Sequence, residues 1–185
     1  MNRTAEELSA GLVEVLRSPK NCGTLELIVR RPKIDAREVV DVAELCIIEG
    51  LVGDNWRTRG SRHTEDGSAH PDMQLTVMNS RVIALLAGDR QRWQLAGDQL
   101  FLDLDLSPNN LPAGSRLSIG SAIVEVSATP HTGCKKFADR YGIEALRFVN
   151  SAQGRRMRLR GLNAKVIRPG KIKIGDAAAL QEHTT

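Results

Sequence analysis

The residues of this chain best equipped for chemistry are gathered in Thr129-Pro130-His131-Thr132-Gly133-Cys134-Lys135-Lys136-Phe137. A thiol follows a loop punctuated by Pro130 and Gly133, precedes what reads as a helix start, and is followed by two lysines. A thiol reacts as its thiolate, a form that helix N-termini and neighbouring cations both favour. Cys134 is therefore the candidate for nucleophilic sulfur chemistry or for ligation of a soft metal. His131 could take or relay a proton, and Lys135 and Lys136 could hold the sulfur charged. The plainer reading is a small buried filler, since free cysteine is among the most buried residue types.

A second chemical cluster is Arg155, Arg156, Arg158 and Arg160. Taken as an extended segment, residues 153–160 put Arg156, Arg158 and Arg160 on one side and Arg155, Met157 and Leu159 on the other. Guanidinium forks match phosphate oxygens, so that side would bind anions, with a solvated basic face as the alternative. His63 and His70 lie in a polar loop, 55–72, without a third ligand at metal spacing. Asp103 and Asp105 alternate with Leu100, Leu102, Leu104 and Leu106, which predicts a strand with its carboxylates wetted rather than an acid–base pair.

These side chains need a scaffold, and 185 residues with 41% hydrophobic and 26% charged content suffice for one domain with one core. Six aromatic residues leave the core to Leu, Ile, Val and Ala and offer few stacking platforms, which disfavours nucleic acid as a partner. The net charge of +4 suits an anionic ligand but is too small to single out nucleic acid. Cys22, Cys46 and Cys134 are odd in number and form no CxxC, as expected of a reducing cytoplasm. No run approaches the roughly 18 apolar residues of a membrane span, so no membrane association is expected.

Residues 4–17 predict an amphipathic helix with Thr4 and Glu7 as a capping box, packing on the domain edge. Leu8 and Leu12 on that helix could alternatively serve a homodimer. Strands are predicted at 24–31, 39–48, 73–78, 100–106, 111–119, 122–128, 162–168 and 171–174, with a capped helix at 81–87 and two short helices after Cys134. Gly53-Asp54, Gly97-Asp98 and Gly175-Asp176 read as tight corners. Many short strands between Gly and Pro turns predict a mainly β fold, a closed or partly open β-barrel with a few short peripheral helices. Residues 1–23 would form the packing helix, 24–176 the barrel, and 177–185 a polar tail.

The ordered set Gly50-Leu51-Val52-Gly53-Asp54, Asn110-Leu111-Pro112-Ala113-Gly114, Leu117, Ile119-Gly120, Cys134, Arg160-Gly161 and Gly170-Lys171-Ile172-Lys173-Ile174-Gly175-Asp176 resembles the MOSC domains, named for the C-terminal domain of molybdenum cofactor sulfurases. The resemblance covers about residues 25–176. It implies a β-barrel that binds molybdenum cofactor (molybdopterin) or carries sulfur as a persulfide, with Cys134 as the working cysteine and metal ligand. Asn110 would then join Lys135, Lys136, Arg156, Arg158 and Arg160 in holding the cofactor. It further implies a separate cysteine desulfurase as sulfur donor, a molybdoenzyme as acceptor, and no pyridoxal phosphate on this chain. Stand-alone bacterial members add a link to molybdenum-dependent detoxification of N-hydroxylated compounds. Outside the resemblance, a non-catalytic module for an anionic metabolite or partner, with Cys134 incidental, remains open.

Overall fold

The computed structural model describes residues 2–181. Helix α1 (Ala5–Val15) starts where the capping box places it: the Glu7 amide donates to Thr4 Oγ1 and the Thr4 amide donates to the Glu7 carboxylate. Leu8, Leu12 and Val15 are buried against helices α3 (Ser80–Ala87) and α5 (Ile143–Asn150), so Leu8 and Leu12 are not available as a dimer contact. Leu16, expected on the same face, is 66% exposed.

Among the described residues eleven strands follow, with the short helix α2 (Trp56–Arg59) between the fourth and fifth: β1 (Cys22–Arg30), β2 (Glu38–Val40), β3 (Val42–Cys46), β4 (Gly50–Leu51), β5 (Leu75–Asn79), β6 (Leu100–Asp103), β7 (Arg116–Ile119), β8 (Ala122–Val126), β9 (Leu162–Arg168), β10 (Gly170–Lys173) and β11 (Ala177–Leu180). Seven of them close a barrel in the order β11-β7-β8-β9-β5-β6-β1, with β1 returning to β11 and β2 appended to β1. Only β5 and β6 pair in parallel, which bears out the mainly β, mostly antiparallel barrel. Strands β10, β3 and β4 form a separate small sheet. The single strand expected at 39–48 is therefore two strands in two sheets, parted at Asp41.

Two apolar layers hold this together. Leu25, Leu75, Leu102, Val124 and Ala164 belong to the barrel cluster, while Leu27, Met78, Phe101, Phe137 and Tyr141 belong to the cluster beneath the helices. Strand β1 was expected to bury one face, Leu25, Leu27 and Val29. Its pairing with β6 shifts register between Leu25 and Leu27, a bulge that sends Leu25 and Ile28 to the barrel cluster and Leu27 and Val29 to the helical one. Both faces are thus covered. Strand β6 is likewise buried on both sides, and its carboxylates are not simply wetted: Asp103 takes a bidentate contact from Arg81, and Asp105 lies past the strand, accepting from the Ser107 amide.

Two further expectations fail for local reasons. Residues 153–160 are not extended. Ser151 accepts from the Gly154 amide and starts helix α6 (Ala152–Arg156), after which Arg158 turns at φ 49°. The supposed polar tail begins with β11, which closes the barrel; its last four residues, 182–185, lie outside the described residues. No helix among the described residues is long and apolar enough to cross a membrane.

Candidate functional site

The cysteine loop leaves β8 at Ser127 and is gripped from two sides. Asn163 of β9 donates to the carbonyls of Thr129 (3.1 Å) and Pro130 (3.3 Å). Asn150, at the end of α5, accepts from the Gly133 amide at 3.0 Å and donates to the Gly133 carbonyl at 3.1 Å. Cys134 follows as the exposed residue before helix α4 (Lys135–Tyr141), whose Phe137 and Tyr141 are buried and anchor it. Beyond the loop, the chain has one cavity at Cys134 and another at His131.

The Cys134 cavity, about 290 Å³, gathers Arg31, Lys33, Asp35, Arg37, Asn55, Arg59, Lys136 and Arg140. Arg31 is locked by a buried bidentate contact to Asp54, 2.8 Å at Nε and at Nη2, and by donation to the Gly97 carbonyl. Asp54 also accepts from the amides of Arg31 and Trp56, the corner role expected of it. That leaves Asp35, 3.6 Å from Lys136 and 3.7 Å from Arg140, as the carboxylate facing the remaining cations. Lys33, Arg37 and Arg59 have no ion-pair partner among the described residues. Burial pushes Arg37 and Arg59 below their ordinary range, and the Arg140 and Arg31 guanidinium groups beside Arg37, with Arg31 beside Arg59, add to it. Arg37 Nε and Asn55 Oδ1 are buried without a hydrogen bond. Crowded cations with unmet donors suit a bound anion next to the Cys134 sulfur.

The His131 cavity, about 460 Å³, is lined by Ser127, Pro130, His131, Val149, Arg155, Arg158, Arg160 and Leu162, among others. Behind it sits Asp98, fully buried, with Oδ2 2.7 Å from Arg160 Nη1 and Oδ1 3.5 Å from His131 Nδ1. Burial pushes Asp98 up, against the pull of Arg160. Burial, followed by Arg160 and Arg31, holds His131 well below its ordinary value, so the imidazole is neutral. Arg160 also lies 4.7 Å over the Phe137 ring, tying this wall to α4.

The predicted site residues therefore divide. Cys134 and Lys136 share one cavity, while His131, Arg158 and Arg160 share the other. Lys135 lines neither; it is exposed and paired with Asp139 at 3.1 Å. Arg156 lines a separate hollow with Asn109 and Met157, because α6 turns it away from Arg158 and Arg160. Asn110 lines neither of the two cavities: its side-chain Nδ2 donates to the Asp105 carbonyl at 2.7 Å and closes a turn. Arg158 spends one nitrogen on the carbonyls of Leu106 and Leu111. Among the described residues no three His, Cys, Asp or Glu side chains gather at metal-binding distance. Sequence reading missed Arg31, Arg37, Arg59 and Arg140 as companions of Cys134, and Asp98 as the partner of His131. The only local hints were the Gly53-Asp54 and Gly97-Asp98 corners.

The family model of the MOSC domain matches residues 64–179. No curated protein matches the chain. Among solved structures it is similar to the YUAD protein from Bacillus subtilis, with 16% identity, a TM-score of 0.66, and coverage of 88% of this chain and 99% of that one. It is also similar to YiiM from Escherichia coli, with 20% identity, a TM-score of 0.56, and coverage of 88% and 71%. YiiM from Geobacillus stearothermophilus follows with 16% identity, a TM-score of 0.53, and coverage of 88% and 75%. At such identities these structures speak to the fold, which they share, and the matched segment runs from the polar loop through the cysteine loop to the closing strand. The chain belongs to the MOSC domain family.

Proposed function

We propose that this MOSC protein binds the anionic molybdenum cofactor in the Cys134 cavity and carries sulfur on Cys134. What supports the reading is one observation: an exposed thiol shares a cavity with Lys33, Arg37 and Arg59, none of which has an ion-pair partner among the described residues. The residues fit the group. A phosphate would find guanidinium forks in Arg37 and Arg59, and the unpartnered Arg37 Nε and Asn55 Oδ1 offer a donor and an acceptor to a pterin. When bound, the cofactor would supply redox chemistry at a dithiolene-held metal, and Cys134 Sγ would be the soft ligand this cavity offers it.

Sulfur loading needs only the thiol. The Cys134 thiolate attacks the outer sulfur of a donor persulfide, a new S–S bond forms on Sγ, the donor's S–S bond breaks, and the donor cysteine leaves as thiolate. A cysteine desulfurase is the donor by class and a molybdoenzyme the acceptor. Exposing the protein to a desulfurase and free cysteine, then mapping mass by peptide, should find one added sulfur on Cys134 and none in Cys134→Ser. A gain on Cys22 or Cys46 alone, or no gain, would refute the carrier reading. The alternative of a non-catalytic anion-binding module is favoured by the fact that the cation cluster is built without the thiol. Full molybdopterin affinity in Cys134→Ser, together with no sulfur on Cys134 in the native chain, would select it.

A further inference from the structure

The His131 cavity takes no part in sulfur loading, yet its walls are prepared for something. Arg155 makes no side-chain hydrogen bond or ion pair among the described residues, and Arg158 is held by carbonyls rather than by a carboxylate. Ser127 Oγ and Arg160 Nε are buried on its walls without a hydrogen-bond partner. Unmet groups of this kind cost roughly 1–3 kcal/mol each, so two on one cavity point to an occupant. His131 turns Nδ1 to Asp98 at 3.5 Å. The two atoms make no hydrogen bond, but a carboxylate oxygen at that distance disfavours a lone pair on Nδ1, so Nδ1 carries the hydrogen and Nε2 is left as the acceptor. Val149, Leu162, Pro130 and Ala128 supply an apolar wall. The volume, about 460 Å³, falls in the range of small-molecule pockets.

We propose that this cavity is a second binding site, for a small organic carboxylate with an apolar body and a hydrogen-bond donor. The carboxylate sits on Arg155 and Arg158, the apolar body lies against Val149 and Leu162, and the donor reaches His131 Nε2. Inorganic anions satisfy the arginines but leave the apolar wall and the imidazole unused. The site needs no sulfur on Cys134 and no cofactor, so it stands or falls separately from the carrier reading.

The test is a titration of the isotope-labelled full chain, followed by amide NMR, with 4-hydroxybenzoate, benzoate, 4-hydroxybenzamide and inorganic phosphate as probes. 4-Hydroxybenzoate should give saturable shifts at Ser127, Thr132, Asn150, Gly154 and Gly161. Loss of a charge-assisted contact is worth about tenfold in affinity, so 4-hydroxybenzamide, and 4-hydroxybenzoate on Arg155→Gln, should each bind about ten times more weakly. Arg155 is exposed, so this variant keeps the fold. Benzoate should bind more weakly than 4-hydroxybenzoate to the native chain and equally well to His131→Phe. The proposal is overturned by any one of four results: no saturable shift, shifts confined to Arg31, Arg59 and Cys134, equal affinity for phosphate, or no loss in Arg155→Gln. Cys134→Ser should bind 4-hydroxybenzoate as the native chain does.

Discussion

His131 is kept neutral first by burial, its side chain being 13% exposed, and then by the positive charge of Arg160 and Arg31. Asp98 lies 3.5 Å from the ring without a hydrogen bond and does not charge it, because its own charge is already committed to Arg160 at 2.7 Å. This sets a pH dependence of stability. The folded-state value lies well below the ordinary 6.5, so as pH falls through about 6.5 the unfolded chain binds a proton that the folded chain refuses. Stability contributed by His131 is therefore present above that pH and is lost below it, by up to about 1.4 kcal/mol per pH unit. Urea unfolding measured between about pH 5 and pH 8 should show the native chain losing stability toward acid faster than His131→Gln. Parallel curves for the two proteins would show that the ring is charged in the fold. Cys134 is the contrasting residue: exposed and free of partners in its side chain, it can be replaced by Ser with a stability change within about 0.5 kcal/mol.

At the scale of elements, the cysteine loop is a coil whose shape is imposed by its neighbours. Asn150 of α5 satisfies both backbone groups of Gly133, and Asn163 of β9 satisfies the carbonyls of Thr129 and Pro130. A β-carbon at Gly133 would meet the side chains of Leu146, Val149 and Asn150, so the loop lies directly on α5. Asn150→Ala removes both hydrogen bonds and should lower the unfolding free energy by about 1–3 kcal/mol. Hydrogen exchange should then rise selectively at 129–134, and sulfur loading of Cys134 should slow while alkylation of exposed Cys22 is unchanged. Uniform exchange across the chain would instead mean global destabilisation without a positioning role. The Arg160-Gly161 pair has the same elemental logic: Gly161 adopts φ 99° and lies on the Val77 backbone, which lets β9 begin against β5 while Arg160 turns back to Asp98.

At the scale of the whole molecule, the barrel depends on its last described strand. β11 pairs with β7 on one side and with β1 on the other, so it covers two edges that would otherwise expose unpaired backbone groups. Ending the chain at Asp176 removes it. Size-exclusion chromatography should show the shortened protein self-associating, and its urea transition should broaden as cooperativity falls. A monomer with the native transition would show that the seven-strand closure is dispensable.

How much of this was legible in sequence follows from the range of the forces involved. The capping box of α1, a cap at Asn79 or Ser80 for α3, which the structure assigns to Asn79, and the turn between β7 and β8 are readable because each is settled within a few residues. Period-2 apolar runs separated by Gly and Pro turns sufficed for a mainly β barrel, and an ordered set of short motifs placed Cys134. The alternation across 153–160 misled, because a Ser151 cap and a left-handed Arg158 override a two-residue period that side-chain types alone suggest. Ala177–Leu180 is apolar but too short and featureless to stand apart from the polar residues that follow it within 177–185, and it is a strand only because two partners flank it. Sequence by itself thus determined the architecture and singled out Cys134 as the candidate sulfur. Only the tertiary structure decided that Arg31, Arg37 and Arg59 surround that sulfur while His131 and Arg160 face a different cavity. The reason is that electrostatic and hydrogen-bond partnerships act through space, across separations such as the 62 residues between Asp98 and Arg160, which no local pattern encodes.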